Sequence, residues 1–298
     1  MEYNTRVVVT GMGVISPVGL NVATMWLNLI AGQSGIGPIT LYDTNGFNVH
    51  IAGEAHGFDP LQYMSAREAH RMDRFTQFAI AALEEALAQS RLKVEAHNAY
   101  EIGAIIGSAA GGAWTYLQGF EDLRLKGPHW LNPFYVTSVC VDASAVHVAL
   151  RTGARGPNFG VNAACASGAD AIGQAYETIR RGHARAVFTG GFDAAITPLG
   201  MAAFDRIHAL SRRNDHPEGA SRPFDSNRDG FVAAEGGALL ILEDLEFALA
   251  RGAQPLAEVL SCAITSDAIH LTAPDPDGAG AAHCMRLALQ RAGVTPQD

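Results

Sequence analysis

One stretch combines a reactive residue with the backbone grammar that would activate it: Val161-Asn162-Ala163-Ala164-Cys165-Ala166-Ser167-Gly168. A short apolar strand ends, small residues permit a tight turn, and a cysteine arrives at the mouth of a segment in which Ile172, Tyr176 and Ile179 recur at helical spacing. Helix N-termini carry partial positive charge and unpaired N–H groups. A thiol placed there has its thiolate stabilised and is made nucleophilic. The same N–H groups can hold the oxyanion that forms when a thiolate attacks a thioester or ketone carbonyl. The pattern offers a nucleophile elbow built on Cys165, set against the plainer reading of a buried structural cysteine. Cys140, Cys262 and Cys284 lack such a context and read as small buried hydrophobes.

Other motifs carry less. Gly11-Met12-Gly13 follows a strand, but Ser16 stands where a dinucleotide fingerprint needs its third glycine. Asp225-Ser226-Asn227-Arg228-Asp229-Gly230 opens like a calcium loop, yet Gly236 occupies the place of the bidentate acid. The four cysteines fit no zinc spacing, so neither a metal nor a cofactor is expected. Arg67, Arg71 and Arg74, spaced by four and three, are expected on one helix face, either simply solvated or turned towards an acidic partner.

The elements that must position Cys165 read as α/β. Strands are predicted over Arg6–Gly13, 102–106, 158–163, 185–192, 232–242 and 255–264. Helices are predicted over 22–30, 61–87, 112–124, 138–151, 167–181, 244–251 and 279–292, with irregular surface from Pro198 to Arg228. Strand 158–163, Cys165, helix 167–181 and strand 185–192 form a strand–turn–helix–strand unit. Of the 298 residues 48% are hydrophobic and only 17% charged, which excludes disorder and fits strands covered on both faces. No apolar run reaches the ~18 residues of a membrane span, and the N-terminus lacks the order of a signal peptide. A net charge of −9 disfavours nucleic acid. A cytoplasmic enzyme is expected.

Asn162-Ala163-Ala164-Cys165-Ala166-Ser167-Gly168 resembles the active-site segment of the β-ketoacyl-[acyl-carrier-protein] synthases, the elongating condensing enzymes of fatty acid synthesis. Arg6–Gly13, Thr197-Pro198-Leu199-Gly200, Arg222-Pro223-Phe224-Asp225, Arg228-Asp229-Gly230-Phe231-Val232 and Ser266-Asp267-Ala268 carry the likeness along the chain. The resemblance implies an α/β thiolase-like fold, layered α-β-α-β-α, of two pseudo-repeated halves, each a five-stranded sheet. Residues 1–252 would form the first half and 253–298 the start of an incomplete second. It implies that Cys165 takes an acyl chain from acyl carrier protein as a thioester, which the carbanion from decarboxylating malonyl-carrier protein then attacks. Ala110 would stand at the gate of the acyl pocket and Phe204 in its wall. Arg67 and Arg71 would face the acidic carrier protein, and a homodimer is implied.

The family's two catalytic histidines belong to a His-Gly-Thr segment and a later Gly-His segment, and none of the eleven histidines here has that context. The chain is therefore expected to be a fragment, a truncated product, or one piece associating with a chain that supplies the remainder. A polyketide ketosynthase, or a non-catalytic acyl-binding or dimerisation partner, is the alternative expectation.

Overall fold

A computed structural model describes residues 5–298. In chain order the elements are β1 (Val7–Ile15), α1 (Val22–Ile30), β2 (Gly37–Pro38), β3 (Ile51–Ala52), α2 (Ala66–Ala69), α3 (Arg74–Ser90), β4 (Ile102–Gly107), α4 (Ala113–Lys126), α5 (Tyr135–Val139), α6 (Ala143–Thr152), β5 (Asn158–Val161), α7 (Ser167–Arg180), β6 (Ala186–Asp193), α8 (Pro198–Arg206), β7 (Gly236–Asp244), α9 (Leu245–Ala250), β8 (Ala257–Val259) and α10 (Ala279–Ala292).

The main sheet has six strands in the order β5-β4-β6-β7-β1-β8. β4 runs parallel to β5 and β6, whereas the β6–β7, β7–β1 and β1–β8 pairs are antiparallel. Alternation along the strands sends side chains to opposite faces, and both faces are buried. Ala104, Ile106, Ala186 and Phe188 pack with α3 and α6 on one side. Ile105, Val187 and Leu242 pack on the other side with Ala171, Ala175 and Ile179, the i, i+4, i+8 stripe of α7. The expected strand–turn–helix–strand unit is therefore β5–α7–β6. Residues 253–298 add β8 and α10, and a second large sheet is absent among the described residues.

Two glycines decide how closely helix and sheet approach. A Cβ on Gly13 would stand 1.9 Å from the Ala82 carbonyl oxygen, and one on Gly11 would stand 2.4 Å from that of Ala86. Those glycines let β1 lie directly on the backbone of α3.

Several expected elements are redrawn. The predicted helix 61–87 is three pieces: a short turn at Pro60–Gln62, then α2, then α3. Ser65 and Glu68 form a reciprocal capping box that starts α2 afresh. The Asp73 side chain accepts from the Phe75 amide to start α3, and from the Thr115 amide at 2.7 Å. Helix 138–151 is likewise split into α5 and α6. The segment expected to be irregular contains α8, capped by Thr197 with Pro198 in its first turn. β8 is three residues of the ten predicted.

The arginine face is also corrected. Arg74 points inward, where its guanidinium makes paired bonds of 2.8 and 2.6 Å to the fully buried Glu235 carboxylate and stacks over Phe78. Arg67 lies on α2 and is exposed, while Arg71 lies in the following turn, half-buried over Phe134. Nor are the other cysteines buried: Cys140 is exposed, and Cys262 and Cys284 are partly so.

Gly13→Ala is expected to lower stability by about 1–3 kcal/mol, because helix and strand must separate. Gly37→Ala, where a Cβ meets nothing within 4 Å, should change it by less than about 0.5 kcal/mol. Urea melts of the two variants check the contrast; equal effects would contradict the packing argument.

Candidate active site

The carboxyl ends of the three parallel strands open on one side of the sheet, the place where α/β proteins hold ligands. β4 leads into Ser108, β5 into the Cys165 turn, and β6 ends at Asp193. A cleft of about 400 Å³ forms there, lined by Cys165, Ser167 and Gly168 from the turn and α7, Gly107 from β4, and Gly191 and Asp193 from β6. Leu240 and Ile172 supply apolar wall.

Cys165 is exposed at this cleft. The chain reaches it through Ala164, whose φ of 49° is left-handed, a conformation costing an L-residue about 1–2 kcal/mol. Ser167, the first residue of α7, holds the turn. Its buried hydroxyl donates to the Ala164 carbonyl at 2.5 Å and accepts the Ala163 amide at 2.9 Å. At roughly 0.5–1.5 kcal/mol each, the two bonds offset the strain. The positive end of the 14-residue α7 thus meets the cleft beside the sulfur.

Glycines give the turn its room. A Cβ on Gly107 would lie 2.2 Å from the Ser167 carbonyl oxygen, and one on Gly191 would lie 2.7 Å from Gly168 Cα. The first turn of α7 therefore rests on the bare backbones of β4 and β6.

The other expected site residues are placed variously. Ala110 is exposed and does not line the cleft, but its amide donates 2.9 Å to Asp193, which does. Phe204 lies on α8, edge-on to Phe231 at 5.3 Å, and is likewise outside the cleft lining. Arg67 and Arg71 lie on and just after α2, remote in sequence from the cysteine turn. Sequence reasoning passed over Asp193, Ser108, Ser167 and Asn162. The first was legible as an acid ending a buried strand beyond Gly190-Gly191; Asn162 and Ser167 flank the cysteine itself. Burial pushes the Cys262 thiol above its ordinary range, with Asp170 and Cys284 adding to the effect, so Cys262 is a poorer nucleophile. Among the described residues, no histidine lines the Cys165 cleft and no cluster suited to a metal ion occurs.

Residues 4–248 match the family described as the β-ketoacyl synthase N-terminal domain, and residues 256–298 match its C-terminal domain. The chain belongs to the β-ketoacyl synthase family. It is 47% identical over 293 residues to a 3-oxoacyl-[acyl-carrier-protein] synthase 2 of Vibrio cholerae, covering 98% of this chain and 71% of that protein. The namesake from Staphylococcus aureus is 44% identical over 298 residues, covering 100% of this chain and 72% of its own length. Among solved structures, a β-ketoacyl synthase from Burkholderia phymatum superposes with a TM-score of 0.88 at 31% identity, covering 97% of this chain and 71% of that one. An ishigamide ketosynthase/chain length factor structure gives a TM-score of 0.86 at 35% identity, covering 98% and 71%. The fold is thus thiolase-like, with one six-stranded sheet where the resemblance implies five strands in each of two halves.

Ser167→Ala should leave the Ala163 amide without its acceptor and release the Ala164 turn. A loss of about 1–3 kcal/mol is expected, read by urea denaturation. A variant as stable as the parent would show that the hydroxyl does not hold the turn.

Proposed function

We infer that this chain is a 3-oxoacyl-[acyl-carrier-protein] synthase of fatty acid elongation, an acyltransferase whose acyl carrier is Cys165. The observation that carries the reading is the exposed sulfur at the head of α7, in a cleft among the carboxyl ends of parallel strands. Identities of 44–47% to proteins of that name support it.

In the first half-reaction the Cys165 thiolate attacks the carbonyl carbon of a carrier-bound acyl thioester. The carbonyl π pair moves to oxygen, and the amino-terminal field of α7 stabilises that charge. Collapse of the intermediate expels the carrier thiolate, which takes a proton, and leaves the chain as a thioester on Cys165. In the second, malonyl-carrier protein loses CO₂ and the resulting carbanion attacks this thioester. The new C–C bond forms as the C–S bond breaks, giving a 3-oxoacyl-carrier product and free Cys165 thiolate. Groups that stabilise the enolate are needed here, and the cleft lining contains no histidine. We assign that role to chain supplied from outside these 298 residues, with residues 1–252 and 253–298 as the first and second family units.

Ala110 is taken as the gate and Phe204 as a wall residue of an acyl path that runs beyond the cleft lining, with the small Ala110 side chain leaving it deep. Acyl carrier protein is the proposed partner, docking on Arg67 and Arg71; a solved ketosynthase at 31% identity and a TM-score of 0.83 is described in complex with its acyl-carrier protein. A homodimer is proposed through the open edge of β5, where Phe159 is 40% exposed. The cytoplasm is the proposed location; among the described residues no helix is long and apolar enough to cross a membrane.

A polyketide ketosynthase is the second reading, favoured by structural similarity to the ishigamide ketosynthase/chain length factor. A non-catalytic partner is disfavoured by the presence and exposure of Cys165.

Mixing the protein with acyl-carrier protein should release carrier thiol in a burst stoichiometric with the chain, and Cys165→Ala should abolish it. The absence of a burst counts against the reading. Arg67→Glu should raise the KM for the acyl carrier about fivefold, equivalent to ~1 kcal/mol. The rate with a small acyl thioester that lacks the carrier should stay unchanged. Equal effects on both substrates would remove Arg67 from the docking face.

A further inference from the structure

Among the described residues, Asp193 is the charged side chain lining the Cys165 cleft, and the scheme above gives it no part. Its carboxylate is already occupied. Oδ1 accepts from Ser108 Oγ at 3.0 Å and from the Ala110 amide at 2.9 Å, and Oδ2 accepts from the Ala109 amide at 3.0 Å. Three of its roughly four acceptor sites are thus taken, which leaves it poorly placed to draw a proton from the thiol. Its influence on Cys165 passes through the backbone it holds.

The route is short. The Ala110 N–H belongs to the same peptide group as the Ala109 carbonyl, and in a trans peptide the two point in opposite directions. That carbonyl accepts from Asn162 Nδ2 at 3.1 Å. One peptide group therefore bridges Asp193, at the end of β6, and Asn162, which follows β5 and stands three residues before Cys165. An anion at the N–H end polarises such a group and strengthens its carbonyl as an acceptor. The backbone reaches the same place, since the Ser108 amide donates to the Val161 carbonyl at 3.1 Å. Asn162 Oδ1 in turn accepts the amide of the strained Ala164 at 3.5 Å. Ser167 grips the helix side of the cysteine turn, and Asn162 grips its strand side.

Acyl transfer is sensitive to such a grip for a geometric reason. The sulfur must reach the carbonyl carbon while the carbonyl oxygen lies at the amino-terminal head of α7, so a small rotation of the turn costs rate. Alkylation by a haloacetamide is a displacement at one carbon, with no oxyanion to seat.

We propose that Asp193 is a positioning residue: through the 109–110 peptide group and Asn162 it fixes the strand side of the cysteine turn, so that the sulfur and the head of α7 meet the same carbonyl group. The proposal rests on the acyl-transfer reading above.

The test uses the full chain with Asp193→Asn, Asn162→Ala and the double variant, each first confirmed as folded by a urea melt. Acylation by hexanoyl-N-acetylcysteamine and alkylation by iodoacetamide are both followed by mass on the peptide that carries Cys165. Each single variant should lower the acylation rate about tenfold, with alkylation within about twofold of the parent. Because the two residues act in series on one peptide group, the double variant should stay within about twofold of the slower single variant. If Asp193→Asn does not fold, Ser108→Ala, which removes one donor from the carboxylate, takes its place in the cycle. An unchanged acylation rate overturns the proposal, and so do losses that multiply in the double variant. A parallel fall in acylation and alkylation also overturns it, since that is the mark of a loosened structure rather than a misdirected sulfur. If iodoacetamide labels Cys165 in the parent chain but the thioester does not acylate it, the acyl-transfer reading itself fails, and the proposal with it.

Discussion

The reversal of the chain at Ala164 is the constraint on which the rest depends. A strand must end, turn through a left-handed residue and enter a helix within five residues, leaving one side chain at the helix mouth. The strain at Ala164 persists because the Ser167 hydroxyl bonds to both sides of the turn. Were the turn relaxed, Cys165 would lose its fixed relation to the positive end of α7, and with it the electrostatic help for an attacking thiolate.

That turn is usable only because the surrounding backbone lets it in. Gly107 and Gly191 present no side chain to the first turn of α7, so helix and sheet meet at backbone contact. The same device operates at the other end of the fold, where Gly11 and Gly13 seat β1 on α3. Close packing at both places holds helix and sheet at backbone distance. Three parallel strand ends then arrive at one cleft in fixed register, carrying Ser108, Cys165 and Asp193. Away from the cleft, paired bonds of Arg74 to Glu235 and of Arg251 to Glu243 tie loops to the core through fully buried carboxylates. Their worth lies in orientation more than in net stability, since desolvating the charges opposes their attraction.

How much of this was legible in the residues follows from the range of the forces involved. The apolar runs at 7–9, 102–106 and 186–189 announced buried strands, and the 171, 175, 179 stripe announced α7, because burial pattern is local in sequence. The cysteine turn was readable for the same reason. The breaks inside 61–87 were written in Ser65, Glu68 and Asp73, but apolar periodicity runs across them and masks the caps. α8 was hidden by its polar neighbours although Thr197-Pro198 is a sound helix start. Arg74 could not be separated from Arg67 and Arg71 by spacing; its partner is Glu235, 161 residues away. The grip of Asp193 on Ser108, Ala109 and Ala110 spans some 85 residues and joins two strand ends, so only the fold brings it into view.

The central claim is that Cys165, and no other thiol of the chain, accepts the acyl group. Peptide mapping of the chain after exposure to acyl-carrier protein tests it most directly, because four cysteines compete in one tube. The account predicts the acyl mass on the peptide spanning Asn162 to Arg180. An acyl group recovered on Cys140, Cys262 or Cys284 instead, or on no cysteine at all, would contradict it.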